Sequence, residues 1–263
     1  MRTVLFIGAA GGVGTTALTV GVGHALARCG KRVTVTEFPT YTRAMDLALG
    51  LSDRVIVHLA DVLGGAPVQD ALLPVPLPAE PAKKGEEAQA TGSLSFLPGA
   101  PEPCPLSLGE LREFTWRVEE TGCDFLLIDG GVQSEHLYTF VDICTEIAVV
   151  ITPTEVCLRA AEAIGQMLCG TASLPIRTLV NAYPVAAPEG AVPLSEVVER
   201  TRLPLLGVVP LSYALARAVE EGRLLSGEDN ALPAMENIAL RLLGKERMLF
   251  AGLRRIPRKK LIK

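Results

Sequence analysis

Several absences bound this chain before any motif is considered. No stretch of about 18 consecutive apolar residues runs free of charge, which argues against a membrane-spanning helix. Met1-Arg2-Thr3 leads at once into a short apolar run and a glycine-rich turn, so no cleaved leader is expected. The six cysteines (29, 104, 123, 144, 157, 169) form no C-x-x-C pair and share no zinc-type spacing with histidine. They are expected as reduced, mostly buried thiols of a cytoplasmic protein. His24, His58 and His136 are isolated and none lies close in sequence to a candidate nucleophile, which speaks against histidine catalysis. Positive charge is scarce outside the C-terminus. Eight of the 25 Lys/Arg fall between Lys245 and Lys263 beside one acid, Glu246, leaving 17 basic against 28 acidic residues in the body.

What is present is a strand, a turn and a helix in immediate succession. Val4-Leu5-Phe6-Ile7 is apolar, Gly8-Ala9-Ala10-Gly11-Gly12-Val13-Gly14 is glycine-rich, and Thr15-Thr16-Ala17 opens a helical pattern. Glycines let successive backbone N–H groups face one anion, and the helix that follows adds its positive end. The phosphate-binding loop G-x-x-x-x-G-K-[ST] carries a lysine for the terminal phosphates and a hydroxyl for Mg²⁺. Here Thr15 stands at the lysine position and Ala9 replaces the first glycine.

Along the rest of the 263 residues, apolar runs alternate with helical patterns. Strands are predicted over 3–7, 32–37, 94–97, 124–129, 146–151, 176–180 and 205–209. Helices are predicted over 15–29, 43–51, 57–63, 108–120, 155–168, 197–201, 214–221 and 233–243, with Ser107 and Glu110 as a capping pair. The proline-rich, charged stretch 74–93 predicts an exposed loop. No internal repeat is present. Such alternation calls for right-handed crossovers and an α/β fold: a doubly wound, mostly parallel sheet with helices on both faces.

Several buried strands end in polar or turn residues: Glu37, Asp129, Thr152-Pro153-Thr154, Asn181 and Pro210. In a parallel sheet these ends share one edge, so they converge on Gly11 to Thr16. A dinucleotide loop is the competing interpretation, with Gly12-Val13-Gly14 and the strand-ending Glu37, but the residue three after Gly14 is Ala17 rather than glycine.

With these residues in place, the sequence resembles the MinD/ParA family of deviant-Walker P-loop ATPases, MinD-type members in particular. The family loop K-G-G-V-G-K-T-T lies over Ala10 to Ala17. Val33 to Pro39, continuing through Arg43 and Asp46 to Gly50, is similar to its switch I segment, and Leu127-Ile128-Asp129-Gly130-Gly131 to its switch II. The resemblance implies a P-loop fold over 1–244 and nucleotide contacts from Gly11, Gly12, Val13, Gly14, Thr15, Thr16, Ala17, Asp129, Asn181 and Pro210. Within that set Asn181 falls at the adenine-reading position, and Thr16 and Asp129 serve Mg²⁺. The implied cofactor is ATP or ADP with Mg²⁺, bound weakly or not at all.

The departures are as informative as the matches. The Walker lysine is Thr15, the signature lysine is Ala10, and the switch I aspartate aligns with Pro39. Lysine contacts to phosphate in a poorly solvated site are each worth a few kcal/mol, and phosphoryl transfer rests on charge neutralisation. No residue is therefore assigned a catalytic role. Arg43 and Arg159 are candidate substitute cations, with surface or structural pairing as the alternative.

In the tail at 245–263, Met248, Leu249, Phe250, Leu253 and Ile256 interleave with arginines. Such a segment suits an anionic membrane surface, and the resemblance points the same way. A packed terminus and a nucleic-acid contact remain open. The function expected is a dimeric spatial-positioning or scaffold protein, cytoplasmic and peripheral on the inner face of the membrane, with a protein partner and weak or absent hydrolysis. The alternatives are an active ATP-switched dimer and a metallocofactor-maturation relative.

Overall fold

The computed structural model describes residues 1–38, 43–78, 92–101, 106–132, 137–170, 173–186 and 188–254. The expectations placed on Pro39, the centre of the proline-rich loop (79–91), Cys104, His136 and 255–263 lie outside these residues.

In chain order the elements are β1 (Arg2–Gly8), α1 (Thr15–Arg28), β2 (Arg32–Glu37), α2 (Met45–Ala48), α3 (Leu59–Leu63), α4 (Val68–Ala71), β3 (Leu73–Pro74) and β4 (Ser93–Leu97). They continue with α5 (Leu108–Glu120), β5 (Phe125–Val132), α6 (Leu137–Val141), β6 (Glu146–Ile151), α7 (Glu155–Cys169), β7 (Ile176–Tyr183), α8 (Leu194–Thr201), β8 (Leu205–Pro210), α9 (Tyr213–Glu220) and α10 (Ala231–Leu242). The eight strands form one sheet in the order β3-β4-β2-β5-β1-β6-β7-β8, parallel throughout except for the antiparallel β3–β4 pair.

β1, β5 and β6 are near-continuous apolar runs because they lie at the centre of the sheet and are covered on both sides. On one face α1 crosses β2, β4 and β5, with Gly23 against Val35, Leu94 and Leu127, and α10 lies over β8 through Ile238 and Gly207. Successive side chains alternate between faces. Thr34, next to Val35, accordingly meets Cys123 at the end of α5 on the other side. There Phe38 packs edge-on against Phe114 and Phe140. The chain leaves β1 for β2 on one side and later adds β6 on the other, so the order reverses at β1, where crevices of doubly wound sheets open.

Several predicted boundaries move. Strand β5 runs on through Gly130-Gly131 to Val132, so Asp129 lies within a strand and not at its end; β1 follows it to Gly8, opposite Val132, with a register shift between Phe6 and Gly8. Likewise β7 extends to Tyr183 and places Asn181 inside it. The helix expected over 43–51 is the single turn α2, because Gly50 at φ 64° ends it. The stretch taken as exposed from residue 74 is partly structured: Pro74 pairs with Ser95, and buried Val75 donates its N–H to Leu94 O at 2.9 Å. By contrast, α5 has the predicted bounds, and Ser107 and Glu110 cap it reciprocally.

The described part of the C-terminal segment is not helical. Residues 245–254 run back along α10, with turns at 249–252. Leu249, Phe250 and Leu253 pack against the core, and among the described members of the apolar set only Met248 is strongly exposed. Buried Asn237 holds the segment, donating from Nδ2 to Ala251 O (2.7 Å) and Leu249 O (3.5 Å) and accepting from Arg247 Nε (3.0 Å). Asn230 clasps the Arg254 backbone in both directions, at 2.8 and 3.1 Å.

Candidate phosphate-binding site

The turn between β1 and α1 is an open cradle. Gly14 precedes the helix at φ 86°, a left-handed conformation that L side chains rarely adopt. No side chain caps α1 and no acid occupies its first turn. Leu18 N–H donates to Gly14 O at 3.0 Å. Among the described residues no backbone carbonyl pairs with the N–H groups of Thr15, Thr16 and Ala17. Gly11 and Gly12 are exposed, and a Cβ on either would meet nothing within 4 Å. Unpaired first-turn amides at a positive helix end, facing free space, are what an anion requires.

The loop's underside is filled by its own side chains. Val13 and Thr15 are 3% and 8% exposed, and a Cβ on Gly8 would lie 2.7 Å from Thr15 Oγ1. Thr15 therefore packs inward beneath the cradle, and it brings no charge.

Asp129 faces the loop from β5. Its Oδ2 accepts from Thr16 Oγ1 at 2.5 Å and its Oδ1 from Gly131 N–H at 2.9 Å. Burial pushes its carboxyl above the usual range, outweighing both hydrogen bonds. A hydroxyl and a hard carboxylate oxygen side by side suit a divalent cation such as Mg²⁺, which takes oxygen donors and neutralises the carboxylate. The residues present thus fit phosphates through backbone amides and Mg²⁺ through Thr16 and Asp129, while the lysine contribution is missing.

Glu37 is opposite Asp129 in the β2–β5 register. It is buried and accepts at Oε2 from the Ala44 and Met45 N–H groups at 3.0 and 3.1 Å. Burial raises its carboxyl and nearby Asp129 adds to this, against the two amides. Sequence reasoning placed Glu37 at the binding edge and gave it a role only in the competing dinucleotide interpretation. Its position just before a short helix was the available signal, and its task is to tie the start of α2 to the end of β2.

Among the remaining candidates, Asn181 reaches the loop, donating from Nδ2 to Val13 O at 2.8 Å. Pro210, opposite Tyr183 on β8, lies one strand further out and has no hydrogen bond to the loop. The substitute cations do not serve the cradle: neither Arg43 nor exposed Arg159 bonds to the loop among the described residues, and the field of Arg159 falls on Glu162. Glu155 is held by Arg200, which also binds Glu162 and Glu196 and thereby staples α7 to α8. Glu155 is a structural acid here.

The sheet order, the loop at the reversal point and the paired Thr16 and Asp129 define a P-loop protein. No protein-family model matches the chain. A Guillardia theta protein assigned as a septum site-determining protein MinD is 29% identical over 254 residues, covering 93% of this chain and 89% of that one. The MinD subunit fold in the "MinC:MinD cell division protein complex" of Aquifex aeolicus superposes with a TM-score of 0.81 at 22% identity, covering 95% and 98% of the two chains. MinD of Pyrococcus horikoshii complexed with Mg-ADP gives a TM-score of 0.70 at 22% identity, covering 92% and 95%. The chain is thus similar in sequence to septum site-determining proteins of the MinD type, and in fold to solved MinD structures.

Proposed function

We propose that this chain is a MinD-like positioning or scaffold protein that binds ATP or ADP with Mg²⁺ weakly and hydrolyses it slowly or not at all. The observation that carries this is the cradle itself: unpaired amides of Thr15 to Ala17 and open glycines over an inward-packed, uncharged Thr15. Gly11 to Ala17 would hold the phosphates, Thr16 and Asp129 the Mg²⁺, and Pro210 would flank the nucleoside. Bound Mg²⁺ would supply charge neutralisation on the phosphates. The chain itself supplies dipoles and hydrogen-bond donors but no cation, which favours occupancy over transfer.

A homodimer is proposed through the same sheet edge. Val132 ends β5; Tyr138, Val156, Leu211 and Tyr213 follow the ends of β5, β6 and β8, and all five are exposed. An apolar set of this kind around a binding edge marks an interface. A protein partner is proposed by analogy with the MinC:MinD complex named above. The basic end of the chain remains a candidate for an anionic membrane from the cytoplasmic side. In the packed state Leu249, Phe250 and Leu253 are withdrawn, which leaves charge as the first attraction. No helix among the described residues is long and apolar enough to cross a membrane.

Calorimetry with Mg-ATP and Mg-ADP on wild type and on the Ala10→Lys/Thr15→Lys double variant tests the proposal. One charge-assisted contact of about 1.5–3 kcal/mol predicts at least tenfold tighter binding in the double variant. Hydrolysis by wild type at a rate that lysine restoration leaves unchanged would refute it.

A further inference from the structure

The amide of Asn181 is placed to shape the loop itself. Its Nδ2 donates to Val13 O at 2.8 Å across 168 residues of sequence. Val13 O is the carbonyl that Ala17 N–H would take if α1 continued one residue toward the N-terminus, because helical bonding runs from residue i to i−4. The side chain also occupies the space a Cβ on Gly14 would need, so it buttresses the left-handed turn at φ 86°. We propose that Asn181 is a positioning residue that clips Val13 O out of the helical ladder and so keeps the first-turn N–H groups available to phosphate. It acts on the loop and not on a base.

The physical consequence is specific. Without the clip, Val13 O is free to accept Ala17 N–H and extend α1 backward, which removes an amide from the cradle and shifts Gly14 from its turn. With the clip, the carbonyl is satisfied from β7, which is held between β6 and β8. The inference rests on the phosphate-binding proposal above for its functional meaning, while the loop geometry can be tested without any ligand.

Two arms separate the possibilities. The first is binding of Mg-ATP and of base-free Mg-tripolyphosphate to wild type, Asn181→Ala and Asn181→Leu, where Leu retains bulk over Gly14 but has no donor. The clip predicts roughly tenfold weaker binding of both probes, by the same factor, in both variants. The second is amide hydrogen exchange over residues 8–20 in the unliganded proteins. Slower exchange at the Ala17 N–H, newly paired with Val13 O, with the rest of α1 and β7 unchanged, is expected in both variants. A loss confined to Mg-ATP, with tripolyphosphate binding and loop exchange unchanged, overturns the proposal and makes Asn181 a base reader. If wild type binds neither probe, the phosphate-binding proposal fails, and the exchange arm still decides whether the clip exists.

Discussion

Asn237 offers a sharp test of how the C-terminal segment is held. It is 3% exposed in the apolar stripe of α10, between Ala234, Met235, Ile238 and Ala239, where only its bonds to residues 247, 249 and 251 justify a carboxamide. Replacement by leucine keeps the volume and removes the bonds. Of the three, the 2.7 Å bond to Ala251 O and the 3.0 Å bond from Arg247 are well formed, and the 3.5 Å bond to Leu249 O is marginal. At about 1 kcal/mol for each good bond, the segment's local opening becomes easier by about 2 kcal/mol, or roughly 30-fold in population. The body of the fold is spared, because leucine suits the stripe. Trypsin under native conditions reads this directly: Lys245 and Arg247 flank the clasp, and cleavage of a rapidly reclosing segment tracks its open population. Cutting after 245–247 should accelerate about 30-fold in Asn237→Leu, while the midpoint of urea unfolding stays put. The segment also contributes Gly252 and Arg254 to an open pocket of about 410 Å³ that His24, Arg28, Leu232 and Glu236 help to line. Unchanged cleavage would mean that the packing of Leu249, Phe250 and Leu253, not the asparagine, holds the segment.

Further outcomes follow from the buried charges. Burial raises the Asp129 carboxyl, so its contribution to stability is complete below the unfolded value near pH 4 and is lost as pH rises through the folded value. Asp129→Asn should therefore be more stable than wild type in urea at pH 7.5 without Mg²⁺, with the gap closing toward pH 4; a less stable variant at neutral pH contradicts this. Glu146, 1% exposed, is shared by Arg2 and Arg177, with Nε of Arg177 at 2.5 Å; Glu146→Gln removes the counter-charge of Arg177, while Arg2 keeps solvent and its bond to Leu242 O, and should cost up to about 3 kcal/mol by chemical denaturation. Arg200→Ala breaks contacts to three glutamates, two of them substantially exposed, and should cost no more than about 1 kcal/mol, a shift in Tm of a few degrees at most.

The fold was legible because its signals are local. β2, α5 and β6 have their predicted bounds, since each is an apolar run or stripe punctuated by its own caps and turns. Boundaries failed where a partner elsewhere prolonged the element. β5 continues past Asp129 because Gly130 packs under Leu5 and Ile7, and β7 runs past Asn181 because Tyr183 pairs opposite Pro210. In the described part of the tail, Asn237, lying some ten residues earlier, engages the backbone carbonyls of Leu249 and Ala251, a contact that no local spacing signals.

Within the candidate site, what could be foreseen was residue type, and what could not was which atoms are already engaged. Thr16 and Asp129 meet as their chemistry suggests. Glu37 and Asn181 are polar at strand ends, which flags interest, yet their hydrogen bonds go to backbone: Glu37 to the start of α2, and Asn181 to Val13. Both spend their polarity on holding loops at the sheet's ligand edge. The two lysine positions go the opposite way. Thr15 turns inward against Gly8 and Ala10 has no charge, so the site is rich in groups that fix backbone and poor in groups that neutralise phosphate. Restoring cations without disturbing those fixtures separates the two demands. If Ala10→Lys/Thr15→Lys gains affinity but little hydrolysis, the limit lies in the switch I segment, where proline stands in place of a carboxylate; if it gains both, charge alone was lacking.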